Sequence, residues 1–245
     1  MSSTISVLIG ALFVYVLNWY QNKRNEENRI ADIQQKETKR RQDSCNYALF
    51  ILIQHVNTLV LGETYLAMWR VEKEKAMRWY RMKPYLNFSS QPDLHIPDLA
   101  WLLDTDGRVL LSDYAEARNA YLTVIGLYEL RKQVKARADD HAEKRAEDLY
   151  NASPGKEIEE SEILEGLTVR DYQELNQSAD SLLEFSQEII RQQFKILDKM
   201  HKFFKGIWPN SLFLSIGTLD EVLKTKNLEF KDNTILPIVE NAPMS

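Results

Sequence analysis

Four histidines, one cysteine and a few acidic clusters are the side chains from which this chain could assemble reactive chemistry, and their spacing keeps them apart. His55, His95, His141 and His201 are scattered, with no HxxxH or HExxH arrangement to hold a metal from one helix face. Cys45 is the single cysteine, so it has no partner for an intrachain disulfide or a thiolate metal site, which fits a reducing compartment. Asp104, Asp106, Gly107 and Asp113 look like part of a calcium loop. Aligning Gly107 with the turn glycine, however, puts Leu102 at the first ligand position and Asp113 where a bidentate Glu is needed. A turn feeding a helix explains the same residues. The chain contains no GxxxxGK[ST], GxGxxG or GxSxG, and no Ser, His and acid spacing suggests a triad. The expectation is therefore a non-catalytic protein without metal, cofactor or small-molecule substrate.

The more informative chemistry is aromatic and basic, the composition of binding hot spots. Trp69, Arg70, Arg78, Trp79 and Arg81 lie at the end of one helical segment, Lys202, Lys205 and Trp208 at the end of another, and Trp101 in a connector. If three long helices run up, down and up from a membrane, these residues meet at the pole far from the bilayer and form a candidate partner surface. The competing expectation is that they close the end of the bundle core.

What must position these residues begins at Thr4 to Tyr20, TISVLIGALFVYVLNWY, which is uncharged and spans roughly 26 Å as a helix, near the short limit for a bilayer. No charge precedes it and no small-x-small site follows, which argues against a cleaved signal. Trp19 and Tyr20 stand where interfacial aromatics would sit, and Lys23 and Arg24 follow them. This places the bulk of the chain in the cytoplasm, beneath a single-pass inner (plasma) membrane anchor in contact with lipid. Ser6 and Gly10 form a small-xxx-small pair suited to self-association of the anchor.

Behind the anchor, Gln21 to Asp43 is polar on every face except at Ile30 and Ile33, which reads as a solvated helical stalk. Asp43 or Ser44 can cap a new helix with Leu49, Leu52, Ile53, Val56, Leu59 and Val60 at helical spacing. Phe50, Ile51, Leu61, Tyr65, Met68 and Trp69 add a second apolar face that two neighbours would have to cover. This helix is expected to reach Lys83, before Pro84. A short helix then starts at Pro97 and ends near Leu103. Asp113 and Glu116 resemble a capping box opening a long helix to about Tyr150, with Tyr114, Ala117, Tyr121, Val124 and Tyr128 as its seam. Pro154 and Gly155 mark a linker. Thr168 and Asp171 cap a further helix, which runs to Ile207 and is ended by Gly206 and Pro209. The rest is expected to form a strap with a short helix near Leu219 to Lys226.

The resulting expectation is an all-α chain with an N-terminal transmembrane helix, a polar stalk and an antiparallel bundle of three long helices. Its divisions are an anchor (1–20), a stalk (21–43), a cytosolic bundle (44–208) and a C-terminal strap or tail (209–245). The net charge of −5 and pI near 5.5 provide no global attraction to nucleic acid. The stretch Asp98 to Arg131, DLAWLLDTDGRVLLSDYAEARNAYLTVIGLYELR, is similar to uncharacterised bacterial proteins with one N-terminal membrane helix and a cytosolic helical domain. That resemblance implies a bacterial inner membrane and transfers no site residues. The function expected is a membrane-tethered interaction or scaffold protein that holds a protein partner or copies of itself. The alternative is a signal-responsive effector whose anchors cluster to perturb the bilayer.

Overall fold

The computed structural model describes the backbone of residues 2–71, 78–82, 96–231 and 234–237, and the side chains of 13–70, 79–82, 98–231 and 234–237. The expected helix end at Lys83 and Pro84, the tail 238–245, and the side chains of Ser6, Gly10 and Arg78 lie outside the described residues.

The first helix, α1 (Ser2–Val71), is unbroken over 70 residues, about 105 Å at 1.5 Å per residue. No new helix starts at Asp43 or Ser44. Instead, the Ser44 hydroxyl donates back to the Arg40 carbonyl at 3.0 Å, a bond that leaves the helix running through. Residues 13–40 are exposed on every side. Glu26 and Arg29, Asp32 and Lys36, and Glu37 and Arg41 pair along the helix itself, the spacing that supports a solitary solvated helix. From Cys45 onward α1 enters the bundle and buries Cys45, Ala48, Leu49, Leu52, Val56, Leu59, Val60 and Leu66, following the expected helical spacing.

Two further long helices, α3 (Arg108–Ala152) and α5 (Val169–Ile207), complete an all-α bundle. Between α1 and α3 lie a single turn, α2 (Arg78–Arg81), and a 3₁₀ segment, Ile96–Asp104. α3 begins five residues before the expected cap: Gly107 is its N-cap, and Asp113 reaches across to Lys199 at 2.9 Å. Pairings fix the directions. His55 stacks on Tyr121 with ring centroids 3.9 Å apart, and Cys45, Leu49 and Leu52 share a cluster with Leu110, Tyr114 and Ala117, so α1 and α3 ascend together. α5 is antiparallel to both: Arg137 meets Asp171 near its start, Glu63 meets Ser186 midway, and Phe204 near its end shares a core cluster with Leu49. The order of ascent is up, up, down.

Local chemistry sets the breaks. Gly155 has φ 85°, a conformation glycine adopts without strain, and separates α3 from α4 (Glu160–Leu164), itself opened by a capping box of Glu159 and Glu162. Thr168 and Asp171 cap α5 reciprocally, as the sequence predicts. The C-terminal strap contains α6 (Leu219–Lys224) and an antiparallel hairpin absent from the sequence reading, β1 (Leu228–Lys231) with β2 (Thr234–Pro237). Leu223, Leu228 and Ile235 bury against α1 and α5, so the strands are held by the helices they cover.

Candidate functional site

The parallel ascent of α1 and α3 divides the expected partner surface. Trp101 and Trp208 do meet, at 5.5 Å between centroids, but at the stalk end of the bundle, where the Arg41 guanidinium lies 5.6 Å over the Trp101 ring. Lys205 donates to the Ser211 carbonyl at 2.6 Å, and Lys202 pairs with Asp198 at 2.7 Å. Trp69 and Trp79 lie in the far half, against Tyr65 and Tyr172 respectively, while Arg81 pairs with Glu160 across the linker. The four tryptophans therefore close two ends of the core rather than gather at one pole. The reason is the direction of α3: it starts beside residues 40–52 of α1, so α5, the last long helix, ends next to the stalk.

Two buried polar centres lie between these ends, and both interrupt apolar seams. Glu63 is fully buried on α1, seven residues after Val56 and so on the core-facing line. Its carboxylate is ion-paired with Arg70 and accepts from the Ser186 hydroxyl at 2.7 Å. Arg70 also donates to the carbonyls of Leu183, at 2.7 Å, and Ile235, joining α1, α5 and the hairpin. Burial lowers the Arg70 pKa to about 10, partly offset by Tyr128, which leaves it charged at neutral pH.

Arg131 is the second centre and has no exposed surface. It follows Tyr121, Val124 and Tyr128 on the α3 seam. The signal was present in the 3–4 spacing, which reaches an arginine where an apolar residue would continue the line. Its guanidinium donates to the carbonyls of Met82, Trp79 and Leu175, the last at 2.7 Å, and to the Ser178 hydroxyl at 3.3 Å. Burial lowers its pKa to about 10 against the raising influence of Tyr65 and Asp139. This side chain fastens α2 to α3 and α5 by satisfying carbonyls at the exit of α2.

At the start of α5, Asp171 accepts from Thr168 and Arg137 and is bonded to His141 Nδ1 at 2.8 Å. Burial raises the Asp171 pKa, but the bonds from Thr168, Arg137 and His141 outweigh it and hold the carboxyl well below the usual carboxylate range. A depressed folded pKa means that this contribution is full above the unfolded value of about 4 and is lost as pH falls below it. Asp171→Asn is therefore expected to cost about 2 kcal/mol at pH 7 and less at pH 3. Urea unfolding at the two pH values, compared with the unaltered chain, measures the difference.

Outside these centres, α3 and α5 flank an open groove of about 410 Å³ lined by Leu127, Leu130, Val134, Arg137 and Glu174. A second cleft of about 410 Å³ lies at the stalk junction beside Lys36, Lys39, Arg40, Tyr47 and Asp98. Trp19, Tyr20, Lys23 and Arg24 are exposed on α1, with Lys23 Nζ 5.6 Å from the Trp19 ring centroid. The apolar residues beside them, Phe13 to Leu17, are likewise exposed. Among the described residues α1 is the one helix long and apolar enough to cross a membrane; the stretch of Phe13–Arg70 that meets this measure has mean hydropathy 1.3 and is 56% buried inside the molecule. That buried share is bundle core, so the case for lipid contact rests on the exposed N-terminal end.

The architecture is that of an all-α bundle carried on one continuous N-terminal helix. No protein family, curated protein or solved structure matches this chain.

Proposed function

We infer that this protein is a non-catalytic, membrane-tethered interaction protein. The N-terminal end of α1 enters the inner membrane, the polar stalk stands in the cytoplasm, and the bundle meets its partner about 30 Å from the bilayer surface. The observation that carries this reading is the unbroken α1, which joins the exposed apolar residues Phe13 to Leu17 to a bundle core. A rigid helical connection fixes height and orientation, and tethering raises the local concentration of whatever the bundle binds. The buried charges favour a scaffold role over catalysis because their donors and acceptors are taken up by neighbouring carbonyls, hydroxyls and each other.

Fractionation tests this. The full chain is expected to stay with membranes through a carbonate wash and to need detergent for release. Phe13→Asp combined with Val14→Asp places two carboxylates near the middle of the span, at about 3 kcal/mol each, and is expected to move most of the protein to the soluble fraction with its helicity retained. Wash-out of the unaltered chain would overturn the anchor.

A further inference from the structure

We propose that the outer groove between α3 and α5 seats an amphipathic helix of a partner protein, apolar along most of its length and acidic at the end nearest Arg170. This names the kind of partner for the interaction reading above and rests on it. On α3, Leu122, Gly126, Leu130, Gln133 and Arg137 fall three and four residues apart along one wall. Glu174, Gln177, Ser181 and Phe185 do the same along the α5 wall. The antiparallel register set by Arg137 with Glu174 and by Glu116 with Gln192 runs the two walls side by side and brings Gly126 level with Phe185. Between them lies the recess of about 410 Å³ over Leu127, Leu130 and Val134. From Leu122 to Arg137 the groove is about 22 Å long, the length of about four helical turns. Another helix, with anchors at the same intervals, fits such a groove along its length.

Gly126 is the observation that points outside the chain. Glycine weakens a helix interior more than any residue except proline, and a fold keeps it there when a neighbour leaves no room for a side chain. At Gly126 an added Cβ would meet no atom within 4 Å beyond its own helix, so nothing within the described fold calls for the missing side chain. One turn to either side stand Leu122 and Leu130, 47% and 48% exposed, and Phe185 is 48% exposed. A notch framed by apolar side chains lets the backbone of a second helix come close, since interaxial distance is set by the side chains at the contact.

Donors and acceptors decide the charge of the occupant. Glu174 accepts from Arg170 Nε at 2.6 Å and from Arg137 Nη2, while Asp171 accepts from Arg137 on one oxygen and from Thr168 on the other. Every carboxylate oxygen at this end therefore already has a donor. Arg170 uses only Nε, its side chain is 76% exposed, and among the described residues its Nη groups have no partner. The unmet groups are donors, which a partner completes with carboxylates.

Site-specific photocrosslinking of the full chain in its own cells tests the groove. Benzoylphenylalanine in place of Gln133 is expected to give a discrete adduct on irradiation. The same group in place of Lys132, exposed on the neighbouring face of α3, serves as the control. Mass spectrometry is expected to place the crosslink in a partner segment with apolar residues three and four apart and carboxylates at one end. Gly126→Ala is expected to lower the adduct about tenfold and yet to raise the urea midpoint of unfolding, because alanine favours the helix and enters open space. Loss of binding with a gain in stability is not what a damaged fold produces. Arg170→Glu, a change on an exposed side chain, is expected to lower the adduct about tenfold with helicity unchanged. An adduct no stronger than the control, or one unaltered by Gly126→Ala or by Arg170→Glu, overturns the groove. So does an adduct of twice the chain's mass, which assigns the face to a second copy, or a crosslinked segment without the acidic helical pattern. A membrane-retained chain that forms no adduct overturns the groove and leaves the tether standing. A chain that washes off the membrane and still forms the adduct supports the groove and overturns the tether. One that washes off and forms none overturns both.

Discussion

Arg131→Ala is expected to be among the most destabilising single substitutions in the bundle, costing about 4 kcal/mol. Arg131 is wholly buried, and its guanidinium serves carbonyls from α2 and α5 together with the Ser178 hydroxyl. Truncation leaves acceptors without donors, each costing about 1–3 kcal/mol when buried, and opens a cavity where the side chain lay. Arg131→Lys keeps the charge but replaces a planar five-donor fork by a single ammonium, so it is expected to recover less than half of the loss. Guanidinium chloride unfolding of the detergent-solubilised chain, followed by circular dichroism, measures both. The Trp79 environment is expected to change first, because Arg131 holds the Trp79 carbonyl. Equal stability of Arg131→Ala and the unaltered chain would exclude this role.

The second large effect is expected at Glu63, where the decisive measurement is a double-mutant cycle. Glu63→Leu leaves the Arg70 guanidinium buried without its carboxylate and is expected to cost about 4 kcal/mol, the range for removing one partner of a buried ion pair. Arg70→Met strands the Glu63 carboxylate at a similar cost. With both replaced, no uncompensated charge remains, and the double variant is expected to lose about 2–3 kcal/mol less than the sum of the two single losses, that difference being the coupling energy. Arg70 also binds the Ile235 carbonyl, and β2 packs on α1 and α5. Proteolysis of the hairpin is therefore expected to accelerate in Arg70→Met and less in Glu63→Leu. Additive losses would mean that the two residues act separately.

The cap of α5 was legible from Thr168 and Asp171 because a capping box is closed by residues three apart, and the core lines of all three long helices were legible from helical spacing. The polar stalk was equally clear, since twenty residues without an apolar face cannot pack. Less legible were the two buried arginines and Glu63. Their positions are readable as breaks in the seams, but apart from the Glu63–Arg70 pair within α1, nothing local says that these groups will find partners more than forty residues away. The hairpin at Leu228–Pro237 was missed because its strands are four residues each, too short for an alternating pattern, and gain their stability from the helices beneath them.

By itself, the sequence determined the all-α class, the long helices, their caps and their core-facing lines, because each depends on residues within one or two turns of each other. Only the tertiary structure decided that α1 continues through the stalk into the bundle, that α3 ascends beside it, and that the tryptophans occupy two ends. These outcomes depend on which apolar faces meet across distant parts of the chain, and a helix keeps the same periodicity whichever way it runs.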